Sequence, residues 1–147
     1  MKKLFVGAAA AMLAFSVMPE TASAQSFFSR VTNRVTVEQH GNGNGAAVAQ
    51  HGRANVGGVI QRGNDQTGIV QQTGNNNVGG VNQRGNNNTG TLVQDGNNNA
   101  GCLVQRGNNL NGEVYQNGND RGIYVQTNRT AMILPAGRMM VRACAGG

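Results

Sequence analysis

The chain has 147 residues, a net charge of +6, 23 glycines, no tryptophan and only six aromatic residues, four Phe and two Tyr. That length allows one domain, and so few bulky side chains exclude an ordinary globular core. Glycine and asparagine at this level would signal disorder, were they not set out with a strict period.

The first segment reads as a targeting signal. Lys2 and Lys3 precede an apolar run from Leu4 to Met18, and Ala22-Ser23-Ala24 supplies the small residues a signal peptidase needs. The pattern predicts a secretory signal peptide over residues 1–24, cleaved after Ala24. The run is short of the roughly 20 residues of a membrane-spanning helix. Loss of Lys2, Lys3 and Glu20 takes the charge of +6 to about +5 and leaves a chain with 10 arginines and no lysine.

Residues 25–38 form a lead-in, expected to be mostly disordered. Phe27 and Phe28 show no period, whereas Val35 and Val37 alternate with Arg34 and Thr36, so Val35 to Gln39 reads as the end of a strand feeding the first repeat.

From Gln39 to Val125 one pattern repeats every eleven residues. Gln39, Gln50, Gln61, Gln72, Gln83, Gln94, Gln105 and Gln116 open its eight copies. Two places on stands a glycine: Gly41, Gly52, Gly63, Gly74, Gly85, Gly96, Gly107 and Gly118. Five places on comes Asn44, Asn55, Gln66, Asn77, Asn88 or Asn99, and then Leu110; the last copy is one residue short. Seven places on is Ala46 or a glycine, and nine places on is a valine, a leucine or, last, Tyr124. A tandem period of this kind means an array of like structural units.

The parity within each copy is that of a strand. Small residue, Val/Leu, Gln and Gly fall on alternate positions, the two-residue period of a strand with one buried face, and the positions between them vary freely and so face outward. Gly-Asn-x-Asn between strands, as in Gly85-Asn86-Asn87-Asn88, suits a tight turn because both residue types tolerate positive φ. A second period of 22 appears where Arg62, Arg84 and Arg106 alternate with Thr73, Asp95 and Asn117. Two copies therefore make one coil. The expected fold is all-β: a two-sheet parallel, amyloid-like β-solenoid of about four 22-residue strand-turn-strand coils, stacked about 4.8 Å apart. Glutamines then lie above glutamines and asparagines above asparagines, and stacked amides satisfy one another because each carries donor and acceptor. The small residues let the two sheets approach.

Gln39-His-Gly41-Asn-Gly-Asn44-Gly-Ala46-Ala-Val-Ala-Gln50 resembles the curlin repeat, Gln-x-Gly-x-x-Asn-x-Ala-x-x-x-Gln. The likeness covers residues 39–125, and departs where glycine replaces the motif's alanine, at Leu110, and in the short last copy. The resemblance implies a secreted subunit of curli, the extracellular amyloid fibres of bacterial biofilms, of either major or nucleating type. It further implies export unfolded through an outer-membrane secretion pore, with Gln25 to Arg34 as the address, polymerisation with itself and a partner curlin subunit, and a fibre-assembly role for the motif glutamines and asparagines.

The segment 126–147 lacks the motif and is basic. Thr130 to Leu134 and Arg138 to Ala143 read as strands around Pro135-Ala136-Gly137. It is expected to cap the last coil as a hairpin or to touch an anionic membrane surface. The stacked Arg62, Arg84 and Arg106 read first as a solvated face, each repulsion being below about 1 kcal/mol in water, and second as a track for acidic polysaccharide or extracellular DNA without specific nucleic-acid recognition. His40 and His51 fall on alternate half-coils, so no metal site or cofactor is expected. Cys102 stands at an outward position, and export is compatible with a disulfide, but a preformed loop to Cys144 would hinder threading through a pore; free thiols or a late bridge are expected. No nucleophile–base pair or paired carboxylates recur on one face, so catalysis is not expected. The rival reading is a self-capped soluble β-solenoid adhesin binding anionic surface polymers.

Overall fold

The computed structural model describes residues 32–135 and, ahead of them, three short strands at Lys2–Lys3, Leu13–Phe15 and Ala22–Ser23. The rest of residues 1–31 and all of 136–147 lie outside the described residues, and with them most of the signal peptide and lead-in and the second tail strand, Arg138 to Ala143. From residue 34 the strands are β1 Arg34–His40, β2 Gly45–His51, β3 Val56–Asn64, β4 Thr67–Thr73 and β5 Val78–Asn86. They continue as β6 Thr89–Asp95, β7 Ala100–Arg106, β8 Asn111–Asn117, β9 Arg121–Thr127 and β10 Ala131–Leu134. Among the described residues there is no helix.

Odd and even strands separate into two sheets. β1, β3, β5, β7 and β9 pair in parallel, and β10 adds antiparallel to β9; β2, β4, β6 and β8 form the second parallel sheet. Leu13–Phe15 lies antiparallel on the free edge of β2, and Ser23 pairs with Glu38 of β1. The chain is thus a β-solenoid whose coils place Gln61, Gln83 and Gln105 in one column. Nine parallel strands make four and a half coils. The solenoid begins at Arg34, inside the segment assigned to the lead-in, because Val35, Val37 and Gln39 already obey the inward alternation and meet Gly57, Val59 and Gln61.

One stripe of inward residues forms the core. Val37, Val48, Val59, Val70, Val81, Leu92, Leu103 and Val114 are buried in one cluster, with Val35 and Tyr124 packed against it. Glycine at the small position is what lets the sheets close: a Cβ on Gly68 would lie 2.6 Å from Val59 Cγ1. The turns obey backbone sterics. The residue before each motif asparagine, such as Asn87 at φ 54° or Asp65 at φ 54°, is left-handed, a conformation Asn and Asp enter more readily than most. The missing residue of the last copy is absorbed in the turn Gly118–Asp120, so β9 re-enters the ladder with Leu103 opposite Tyr124 and Gln105 opposite Gln126.

Candidate functional site

The motif glutamines form two continuous hydrogen-bonded columns, one inside each sheet. In the first sheet Gln39 donates to Gln61 at 2.8 Å, Gln61 to Gln83 at 2.9 Å, Gln83 to Gln105 at 2.8 Å and Gln105 to Gln126 at 2.9 Å. In the second, Gln50 donates to Gln72, Gln72 to Gln94 and Gln94 to Gln116, each at 2.7 Å. From Gln50 onward each Nε2 also donates to a backbone carbonyl across the core. Gln61 reaches Gly45 O at 2.9 Å, Gln72 reaches Val56 O at 3.0 Å, and Gln83 reaches Thr67 O at 2.9 Å. One side chain thus ties its own coil to the next and its own sheet to the other, with both amide hydrogens used. That is how buried polar groups are tolerated in so thin a core.

The asparagines work differently from the expected amide-on-amide stack. Asn55 Nδ2 donates to its own turn at His51 O, 3.1 Å, and to the next coil at Gly74 O, 2.9 Å, while its Oδ1 accepts from Asn77 N at 3.0 Å. Asn77 repeats this with Thr73 O, Gly96 O and Asn99 N, and Asn44 with His40 O, Gly63 O and Gln66 N. Asn88 reaches Gly107 O at 2.8 Å, and Asn99 bonds Asp95 O at 2.7 Å within its own turn. Each brackets two turns through backbone groups, because its place at the end of the turn puts the turn carbonyls of its own and the next coil within reach. Gln66 takes the same place, donating to Arg62 O and Gly85 O. Leu110 completes the bracket of Asn88 by donating its backbone N–H to Asn88 Oδ1 at 3.0 Å, and its side chain extends none of its own.

Two sets of residues were missed in the sequence. Gln126 closes the first-sheet column, ten rather than eleven residues after Gln116; counting through the deletion would have found it. A second asparagine row, at Asn64, Asn75, Asn86, Asn97 and Asn108, accepts from the preceding coil's turn, as when Asn86 Oδ1 takes Asn64 N at 3.1 Å. Its signal is the asparagine recurring two places before the motif asparagine.

The turn glycines sit where the sequence places them. Gly41, Gly52, Gly63, Gly74, Gly85, Gly96, Gly107 and Gly118 all have positive φ. At Gly85 a Cβ would fall 1.9 Å from Gly107 O, so no other residue fits between the coils. Arg62, Arg84 and Arg106 are neighbours on the outer face of the first sheet, all exposed. His40 stacks on Arg62 at the N-terminal end of this row, and Glu38 beside it lies 2.9 Å from His40 Nε2 and 3.6 Å from Arg62. The hydrogen bond from His40 and the charge of Arg62 hold its carboxyl below the usual range. His40 and His51 lie in opposite sheets, and no group of three metal-ligating side chains is found among the described residues.

Of the two expectations for the cysteines, free thiols or a bridge, the structure has the bridge. Cys102 is outward from the solenoid axis yet wholly buried, in a cluster with Val56, Val78 and Ala100, and it is disulfide-bonded rather than free. Cys144, the chain's other cysteine, lies outside the described residues. The outer face of the second sheet differs, exposing Thr67, Ile69, Gln71 and Thr73.

The columns end unequally. Gln50 Oε1 begins the second-sheet column, is buried and has no partner among the described residues. Gln116 closes it, and among the described residues its Nε2 donates only to Ala100 O, at 3.4 Å. Comparisons with family models, with curated proteins and with solved structures find no match.

Proposed function

We propose that this chain is a secreted structural subunit of curli-type extracellular amyloid fibres, polymerising by end-to-end stacking of its coils to serve adhesion and biofilm matrix. One observation carries the reading: among the described residues, the glutamine column presents an unpaired acceptor, Gln50 Oε1, at one end and an amide donor with a hydrogen to spare, on Gln116, at the other. Leaving a buried amide unpaired costs about 1–3 kcal/mol, and a further copy in line would relieve it at both ends. Parallel, in-register strands with identical side chains stacked column on column are also the internal order of a cross-β fibre. The resemblance to the curlin repeat supplies the rest of the proposal: signal-directed export, passage through a dedicated outer-membrane pore, and assembly with a partner subunit.

Thioflavin T fluorescence of denaturant-free protein, with and without preformed seeds, tests this. A lag removed by seeds is the expected result, and growth with no lag assigns the nucleating role. A flat trace from folded monomer sinks the fibre reading. The second reading, a self-capped adhesin, draws on β10, which lies antiparallel on β9 and closes that edge of the first sheet. In either reading the row Arg62, Arg84, Arg106 is the contact for acidic polysaccharide or extracellular DNA.

A further inference from the structure

The two sheets end at different heights. The first runs on through β9 and β10, whereas the second stops at β8, which is paired along one edge by β6 alone. Among the described residues, the inner faces of β9 and β10 therefore overhang a place beside β8 that no strand fills. The overhang encloses a cavity of about 460 Å³ lined by Leu103, Gly112, Val114, Tyr124 and Ile133. Its floor is the end of the apolar core, and Ile133, 69% exposed, stands over it without a facing strand. Gln116, with its unspent hydrogen, belongs to the same edge.

We infer that this notch takes one strand, β1 of a second copy, so that successive copies are turned by half a coil and the first sheet of one continues the second sheet of the other. This rests on the stacking proposed for the fibre and adds its register. Parity decides between the possible registers. Strands alternate between sheets, and nine parallel strands end in the first sheet, so the next vacant place is in the second. Were β2 of the incoming copy to sit on β8, its β1, half a coil earlier, would fall where β9 already is. With β1 on β8 there is no such conflict. Arg34–His40 then runs parallel to Asn111–Asn117 at the usual strand spacing of about 4.8 Å, and its inward Val35, Val37 and Gln39 meet the overhanging Tyr124 and the exposed core end. Gln39 opens its own column by donating to Gln61, and its Oε1 is placed to accept the spare hydrogen of Gln116, as each glutamine of a column accepts from the one before. The incoming β2 would come next, in the first sheet, in the place held by β10. β10 has four residues, all exposed, and it must leave β9 before a second strand can add. The N-terminal edges that dock are those carrying Leu13–Phe15 and Ser23, so removal of residues 1–24 has to precede growth.

The test is disulfide trapping in mixed fibres. One chain carries Glu113→Cys on the outer face of β8, and the other carries Thr36→Cys on β1 or Ala47→Cys on β2, with native cysteines kept and bonds identified by peptide mapping. Adjacent parallel strands bring outer-face Cα atoms within the 4.4–6.8 Å that a disulfide spans. Oxidation of the fibres is expected to join residue 113 to residue 36 and not to residue 47. A bond from 113 to 47, or fibres that give neither, overturns the half-coil register while leaving the fibre reading intact. Protein that forms no fibres overturns both.

Discussion

Gln83 Nε2 donates to Gln105 Oε1 at 2.8 Å inside the first sheet, and its second hydrogen crosses the core to Thr67 O at 2.9 Å. Gln61 in turn donates to Gln83. Gln83→Leu keeps the volume and strands a donor and two acceptors, each worth about 1–3 kcal/mol when buried. We expect a loss of about 3–5 kcal/mol in urea unfolding of the monomer. Gln50→Leu, whose Oε1 has no partner to lose, should cost less by about 1–2 kcal/mol. Equal losses at the two positions would mean that the column is not what holds the coils.

The turn glycines divide into two kinds. A Cβ at Gly85 would sit 1.9 Å from the carbonyl oxygen of Gly107, whereas at Gly118 it would meet nothing within 4 Å. Gly85→Ala is expected to abolish the folded state. Gly118→Asn, at φ +58°, should change stability by less than about 1 kcal/mol, since asparagine enters the left-handed region readily. Circular dichroism of the two purified variants distinguishes them.

Acid should loosen the first coil. The carboxyl of Glu38 titrates below the ordinary 4.5, first through the hydrogen bond from His40 and then through Arg62. A depressed folded-state value contributes stability above the unfolded value and loses it as pH falls through the folded one. Stability measured from pH 6 down should therefore decline below about pH 4.5, and Glu38→Gln should flatten that decline. The effect is small, because the side chain is a third exposed and solvent screens it.

The arginine row makes a salt-dependent prediction. Replacing Arg62, Arg84 and Arg106 together with Gln should weaken binding to duplex DNA and reduce the slope of log affinity against log salt by about 2–3, with thioflavin T kinetics unchanged. An unchanged slope would reduce the row to a solvated face.

Cys102 should resist alkylation in the folded, non-reduced protein, and peptide mapping should find it joined to Cys144. Reduction is expected to cost about 3–4 kcal/mol, the usual range for a loop of some tens of residues. A free Cys144 would contradict this.

The coil architecture was legible because its signal is redundant: eight glutamines, eight glycines and a second arginine period report the same geometry. What stayed hidden depends on place in the coil and on context. Asparagine and glutamine look alike in a repeat pattern, yet Asn55 in the turn grips backbone and Gln61 in the strand grips Gln83, and Gln66, standing at an asparagine's place, grips backbone too. The burial of Cys102 could not be read from parity, which separates inner from outer but does not say that the outer face of one sheet carries an apolar cluster of Val56, Val78 and Ala100. The overhang at β8 turns on an odd count of strands, and that count needed β1 and β9, whose sequences depart from the repeat.

Every glutamine in both columns donates in the same direction along the stack, from lower to higher residue number. Aligned amides polarise one another, each bond strengthening its neighbours. Their dipoles add along the axis instead of cancelling as they do between antiparallel strands. The molecule is in that respect a small electret, and a longer stack would hold each amide more firmly than a shorter one.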